Sequence, residues 1–433
     1  GPVQGGSRPG LKLRVRRATP AVALLAAAVL GVALTGCGTS SQSTSDRRAI
    51  RGDSLTIYVS VPRDGASQLA GQAVVDGATL ALDEIHARIG RYRLRLEVLD
   101  DASPGSGVWN AAAAAAAAQT AAANPTTIGY IGDFNSGASA VSIPILNRQA
   151  IPQVSPASSA VGLTSDGLGS SPGEPYAYYP TSLRSFTRVV PSDAVQARVQ
   201  VRLQRELGCQ SVYVLDDGEY DGDEASAAFT QVALGDHYPV VATQSYVPGE
   251  SNYTAIGLTV AQSGADCVLV AAIPERSAAT LVTAVAQQAA RVQIFATSGL
   301  AEPSFTDQVL GGLPTQLDTR VLVSAAAGDA SVRNPRRRAF VQAYTRRYGS
   351  PLPVAIDGYE AMRLLLGAVR GASRRGRADV ERAKVVDALH SGRRQDSPLG
   401  AYRIERDGDT TIDGYGIYRI VNGELRYWRW VTA

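Results

Sequence analysis

Strand-like and helix-like segments alternate along this chain in two successive series, and no other feature constrains its fold as tightly. In the first series Leu55–Val61 reads as a strand and Leu69–Ile89 as a helix, with Val74, Ala78, Ala81, Ile85 and Ile89 on one stripe. Leu94–Leu99 alternates like a strand, Ala111–Ala123 has the highest helix propensity a segment can have, and Ile128–Ile131 and Ile151–Val154 read as short buried strands. A Gly-, Ser- and Pro-rich stretch at 164–182 follows, read as a long surface loop. The second series sets helices at Val195–Leu207, Glu224–Leu234, Ala255–Ser263 and Ala278–Ala290 among strands at Ser211–Leu215, Val240–Thr243, Cys267–Ala272 and Gln293–Ala296. Such alternation predicts parallel sheets with helices on both faces, and two series of similar size predict two α/β lobes. The tail differs: Ala401–Glu405, Tyr415–Val421 and Leu425–Val431 read as antiparallel strands, with an Asn422-Gly423 turn between the last two.

Ahead of the first series, Lys12, Arg14, Arg16 and Arg17 precede an apolar run from Ala21 to Leu34, broken only by Gly31. This is the layout of a secretory leader, and its run is too short to span a ~30 Å hydrocarbon core as a helix. Leu34-Thr35-Gly36-Cys37 resembles the bacterial lipobox, where the thiol is acylated and the preceding segment removed. An ordinary leader with a chance cysteine is the alternative. The expectation is a signal peptide at 1–36 and a lipidated Cys37 at the outer face of the cell membrane. A flexible Ser-, Thr- and Gln-rich tether is expected over 37–53. With Cys37 so assigned, Cys209 and Cys267 remain as a pair, each beside an apolar strand. Neighbouring parallel strands lie ~4.8 Å apart, within the ~4.4–6.8 Å Cα range of a disulfide. A disulfide is expected in an oxidising compartment, two buried thiols being the alternative.

Several function classes find no support. With 45% hydrophobic and 19% charged residues the chain is globular, and its net charge of +3 comes without a basic stripe interleaved with aromatics. Nucleic acid is therefore not an expected partner. Gly169-Ser170-Ser171-Pro172-Gly173 fits G-x-S-x-G only formally, because the strand before and helix after the serine are missing. His86 (placed inside a helix), His237 and His390 lack metal-site spacing. Asp217, Glu219, Asp221 and Asp223 are spaced like a calcium loop, but Ala228 stands where a bidentate Glu is required. Carboxylates at a helix start stabilise its dipole and explain the cluster better. No enzyme activity, metal or cofactor is expected.

Binding chemistry has better support. Ile131-Gly132-Asp133-Phe134-Asn135-Ser136-Gly137-Ala138-Ser139 follows a strand and opens a helix, aiming N–H groups and hydroxyls at one point. Val154-Ser155-Pro156-Ala157-Ser158-Ser159 ends the next strand with the same chemistry. Ligands of open α/β sheets bind at the carboxyl ends of strands, so Ser136 and Ser159 are candidates to share one carboxylate. Turn formation and helix capping are the alternative roles of such hydroxyls.

These segments, with Asp76-Gly77-Ala78, Asp100-Asp101, Ile151-Pro152-Gln153, Val189-Val190-Pro191, Tyr213-Val214-Leu215 and Ile356-Asp357-Gly358-Tyr359-Glu360-Ala361, come in a telling order. From Leu55 to Val431 the sequence resembles the type I periplasmic solute-binding proteins of ABC transporters, branched-chain amino acid group. That resemblance implies two Rossmann-like lobes joined by three crossovers, near Arg188–Pro191, Val321–Gly328 and Leu399–Asp407. It implies an N-terminal lobe of 54–187 and 328–400 and a C-terminal lobe of 188–327 and 401–433. Ser136, Ser159 and the backbone at Ala157 would hold the ligand carboxylate, Tyr220 would close from the second lobe, and Tyr359 would flank the ligand side chain. The implied partners are a small carboxylate-bearing solute, an amino acid first, and ABC permease and ATPase subunits, with the receptor a monomer. A ligand-sensing receptor of the same fold is the alternative. On this basis Ser136→Ala is expected to weaken binding without affecting the empty protein.

Two positions depart from the family pattern. Ser298 aligns with the Glu that meets the ligand ammonium, and an aromatic expected near Ile273 is missing. A desolvated ammonium without a counter-charge costs several kcal/mol. Either Asp133, Asp217 or Glu275 replaces that Glu, or the ligand has no ammonium.

Overall fold

The computed structural model describes residues 49–102, 107–274, 276–328 and 334–433. The predicted leader, Cys37 and most of the predicted tether lie outside the described residues. The end of that tether is not flexible, however. Ala49–Ile50 pairs antiparallel with Val380–Glu381, and Ile50 is buried in the core, so an apolar residue fixes the chain before the first long strand.

The first sheet comprises β1 (Ser54–Val61), β2 (Arg88–Ile89), β3 (Tyr92–Asp100), β4 (Thr127–Ile131), β5 (Gln153–Ser155) and β6 (Phe186–Arg188). Their order is β2-β3-β1-β4-β5-β6, parallel except for the β2–β3 pair. Helices α1 (Gln68–Asp83), α2 (Ala111–Ala123) and α3 (Ser136–Asn147) connect these strands. Helix α1 stops six residues short of its predicted end. His86 and Ala87 adopt left-handed conformations, and Ile89, which extends the helical stripe in sequence, instead pairs with Tyr92 in a strand.

The second series gives α4 (Asp193–Glu206), β7 (Val212–Asp216), α5 (Tyr220–Gly235), β8 (Val240–Ser245), α6 (Thr254–Ser263), β9 (Cys267–Ala271), α7 (Arg276–Gln288), β10 (Gln293–Ala296) and β11 (Val321–Ala325). The chain then returns to the first lobe with α8 (Pro335–Tyr348) and α9 (Ala355–Ala372), and ends in β12 (Gly414–Val421) and β13 (Glu424–Thr432). The second sheet runs β13-β12-β11-β10-β9-β7-β8, with only β12 and β13 antiparallel to their neighbours. Asn422 and Gly423 both have positive φ, as a two-residue hairpin turn requires. The expected strand at Ala401–Glu405 is shorter, Gly400–Tyr402.

Each sheet is covered on both faces. In the first lobe α1 and α9 cross one face so closely that a Cβ at Gly77 would stand 2.1 Å from the Ala355 carbonyl oxygen. Ala118, Ala121 and Leu146 of α2 and α3 cover Tyr58 and Tyr130 on the other. In the second lobe α6 and α7 pack one face and α4 and α5 the other. Cys209 and Cys267 form a disulfide with Cα atoms 5.9 Å apart, at the N-terminal edge of the neighbouring strands β7 and β9.

Three crossovers join the lobes: Val189–Ser192, the segment after Ala325, and Arg403–Asp413. They are tied to one another. The Arg188 N–H donates to the Gly408 carbonyl, Tyr415 Oη to Pro191 O at 2.7 Å and Tyr418 Oη to Ala327 O at 2.9 Å. The fully buried Arg188 guanidinium contacts Asp409, Ala160 O and Thr164 Oγ1, binding first and third crossovers to the loop behind the cleft.

Candidate functional site

The carboxyl ends of both sheets face one cavity of about 80 Å³. Phe134 and Asn135 after β4, Pro156, Ala157 and Ser159 after β5, and Val190 and Asp193 after β6 line it from the first sheet's strand ends. Ala272 after β9, Thr297, Ser298, Gly299, Ala301 and Glu302 after β10 and Ala325–Ala327 at the end of β11 face them, with Asp357 from α9. Strand ends carry unpaired backbone groups and helix starts, which makes this the place where open α/β sheets bind ligands.

Beneath the cavity, the turn before α3 is held by internal bonds. Asp133 is fully buried and accepts from Tyr130 Oη at 2.8 Å and from Ser142 Oγ. Burial pushes its pKa up to about 6. The Asp133 carbonyl accepts from Ser155 Oγ and Ser158 Oγ, clamping the β5 turn beside it.

At the start of α3, Asn135 makes no side-chain cap, and the leading N–H groups are left for another acceptor. That acceptor is Asp221, from the first turn of α5 in the opposite lobe. Ser136 N donates to its Oδ1 at 2.6 Å and Gly137 N to its Oδ2 at 3.1 Å. Two helix N-termini thus share one carboxylate, an arrangement favoured by both dipoles. Helix α5 begins at Tyr220, four residues before its predicted start, and this places Asp221 one residue inside it.

Other contacts cross the cleft. Ser67 Oγ donates to Glu302 Oε1 at 3.2 Å, and Gly162 N to Glu224 Oε2 at 3.2 Å. Tyr220 Oη donates to Glu174 Oε1 at 2.7 Å. Burial and the neighbouring Glu174 push the Glu224 pKa up to about 9. Burial alone would raise Glu174 too, but hydrogen bonds from Glu224, Tyr178, Tyr220 and the Ser171 N–H outweigh it and lower its pKa. Glu224 therefore holds the proton of this pair.

A sequence profile described as periplasmic binding protein matches residues 54–424, which is most of the chain. The chain belongs to the periplasmic binding protein family. That is a family of binding proteins and not of enzymes, and Ser171 lies on an exposed loop. Among solved structures, a leucine-binding protein of Thermotoga maritima is 22% identical with a TM-score of 0.73, over 87% of this chain and 99% of that one. A branched-chain amino acid transporter substrate-binding protein of Streptococcus pneumoniae, in complex with isoleucine, is 18% identical with a TM-score of 0.71, over 88% and 100%. An ABC-transporter solute-binding protein of Rhodopseudomonas palustris, in complex with p-hydroxybenzoic acid, is 17% identical with a TM-score of 0.71, over 88% and 98%. A search of curated protein sequences finds no match. At these identities the solved structures speak to fold alone, and they match the two-lobed type I architecture read from the sequence.

The predicted site residues divide within this periplasmic binding protein. Ala157, Ser159 and Ser298 line the cavity. Ser136 does not line it: it is buried, with Oγ accepting from Ser159 N and Ala160 N at 3.1 Å each. Tyr220 does not line it: its hydroxyl turns to Glu174 and Tyr178 of the 161–182 loop. Tyr359 does not line it either, because its ring packs in the first-lobe core against Phe340 and its hydroxyl donates to Glu84 Oε2 at 2.6 Å. Asp217 accepts from Glu219 N and Ile273 N and so serves the backbone, as Asp133 serves the Tyr130 and Ser142 hydroxyls; burial pushes Asp217 up to about 7. Glu275 lies outside the described residues.

Among the described residues, the acids that do reach the cavity are Asp193, Asp221, Glu302 and Asp357. The sequence offered one signal for them: Asp357 precedes the Gly358 that α9 needs to approach α1.

Proposed function

We propose that this protein is the extracellular solute receptor of an ABC importer, capturing one small solute between its lobes and presenting it to the permease. The observation that carries this reading is the convergence of strand ends from both sheets on one cavity between them. Family membership and the transporter roles named for structurally similar proteins support it. The lobes would be 54–187 with 328–400 and 188–327 with 401–433, and the receptor a monomer hinged at its crossovers. Acylation of Cys37 would hold the receptor at the outer face of the membrane, within reach of the permease; among the described residues no helix is long and apolar enough to cross a membrane.

Ala157, Ser159 and Ser298 form the candidate ligand contacts, with Ser136 holding the backbone behind them. An amino acid or other carboxylate would enter the start of α3, and Asp221 occupies that place with the geometry a ligand carboxylate would take. The test is a thermal-shift screen of the chain from Cys37 onward against amino acids, carboxylates, amines and polyols. A ligand at a hundred times its dissociation constant stabilises by ~2.7 kcal/mol, a readily measured shift. Absence of any shift across all four classes would remove the receptor reading.

A further inference from the structure

Hydrogen-bonding capacity around the cavity is unbalanced in one direction. The backbone N–H groups of the α3 start and of the β5 turn that could cradle an anion are already engaged, Ser136 and Gly137 by Asp221, Ser159 and Ala160 by Ser136 Oγ and Ala157 by Ser155 Oγ, as is Ser298 by Gln196, which leaves the Asn135 side-chain amide as a donor. Gln196 spends its amide N–H on Asp193. Acceptors, by contrast, are left over. Asp357 Oδ1 and Glu302 Oε2 are buried without a hydrogen-bond partner, on side chains of residues only 3% exposed. A buried carboxyl oxygen without a donor is costly, so two on one cavity mark where a ligand's donors belong.

Charge points the same way. Asp193, Asp221, Glu302 and Asp357 line the cavity, and no Lys, Arg or His does among the described lining residues. The nearest cations act from behind. Arg188 is spent on Asp409, Ala160 and Thr164, and Arg337 donates through Nε to the Pro398 carbonyl. An alkylammonium or guanidinium group carries donors and no acceptor, and supplies inside the cavity a charge that reaches Asp357 only from Arg337 behind it. The apolar remainder of such a solute would lie against Ala70, Phe134, Ala272, Ala301 and Val354.

We infer that the cleft takes a small organic cation, held by Asp357 and Glu302, and that Asp221 permanently fills the place where a ligand carboxylate would sit. This rests on the solute-receptor reading and names its substrate class. The structure accounts in this way for Ser298: the counter-charge has moved from that position to Glu302, four residues on, and to Asp357.

The test is titration calorimetry on the chain from Cys37 onward. The probes are agmatine, cadaverine and butylamine as cations, leucine and valerate as carboxylates, and myo-inositol as a neutral polyol. At least one cation should bind, and Asp357→Asn and Glu302→Gln should each weaken it at least tenfold. Both variants should fold, with melting temperatures at or above that of the parent. Asp221→Ala should open the start of α3 and give valerate a measurable affinity that the parent lacks. Binding of leucine, valerate or inositol in place of the cations by the parent would overturn the inference and leave the receptor reading intact. Binding of none of them would overturn the inference, and the broader thermal-shift screen then decides the receptor reading separately.

Discussion

Removing the Ser136 hydroxyl strips the acceptor from two backbone N–H groups, those of Ser159 and Ala160. A buried donor left unsatisfied costs about 1–3 kcal/mol. Ser136→Ala should therefore lower the stability of the empty protein by about 2 kcal/mol, read from the urea midpoint at unchanged slope. This reverses the expectation drawn from sequence, where the same hydroxyl was assigned to the ligand. An unchanged midpoint would restore that assignment. The difference shows what a single residue's sequence context reveals. Small hydroxyl residues after strands announce a site, and Ser159 and Ser298 do line it. Whether a hydroxyl serves ligand or backbone depends on atoms twenty or more residues away. Asp221 is the clearest case: as a carboxylate in the first turn of a helix it reads as stabilising its own dipole, yet it serves a helix in the other lobe. Tyr220 and Tyr359 lie away from the cavity for the same reason, since each aromatic finds its partner on a neighbouring element.

Among the elements, the α1–α9 crossing is where sequence and packing agree most closely. Asp76-Gly77-Ala78 and Asp357-Gly358-Tyr359 contribute the two glycines, and a Cβ at Gly358 would stand 2.5 Å from the Val74 carbonyl oxygen. Both listeners to that contact are backbone atoms, which cannot move aside cheaply. Gly77→Ala should destabilise by about 1–3 kcal/mol through overpacking, seen as a lower melting temperature. It should also weaken ligand binding, because the displaced α9 carries Asp357. A variant with parental stability would show that the helices can separate without loss. The disulfide gives a second prediction. Cys209 and Cys267 close a loop with a sequence separation of 58, so replacing both with Ser should cost about 4 kcal/mol in the chain-entropy model. Guanidinium denaturation of parent and variant measures it, and a loss below 1 kcal/mol would show that the unfolded chain is already compact there. The pairing was legible because strand order follows from βα alternation, and neighbours β7 and β9 each begin beside a cysteine. The ends of α1 and α5 were not legible. A stripe that continues through Ile89 does not disclose that the chain reverses at Gly90, and carboxylates before Glu224 read equally well as cap or as first turn.

Across the whole molecule the cleft is an accumulation of buried acids, and its energetics should follow pH. Burial raises Asp133 and Asp193 to about 6, Asp217 to about 7 and, with Glu174 beside it, Glu224 to about 9. It also raises Asp221, Glu302 and Asp357. Each of these groups holds its proton more tightly folded than unfolded. Their contribution is therefore fully present below the ordinary carboxylate range and is lost as pH climbs from there through the raised values. The lowered Glu174, Glu206 and Asp266 act oppositely, but only as pH falls below the ordinary carboxylate range. Maximum stability should consequently lie near pH 5, with a fall on the order of several kcal/mol by pH 9, measured as urea midpoints across that range. The same titration should loosen the closed arrangement, because Asp221, Glu302 and Glu224 each bridge the lobes. Ionising Glu224 next to an already charged Glu174 places like charges across the contact between α5 and the 161–182 loop. Small-angle scattering should then show a larger radius of gyration at pH 9 than at pH 5, and Glu224→Gln should abolish most of that change. Stability that rises from pH 5 to 9, or a radius that stays constant while stability falls, would show that these carboxyls do not hold the lobes together.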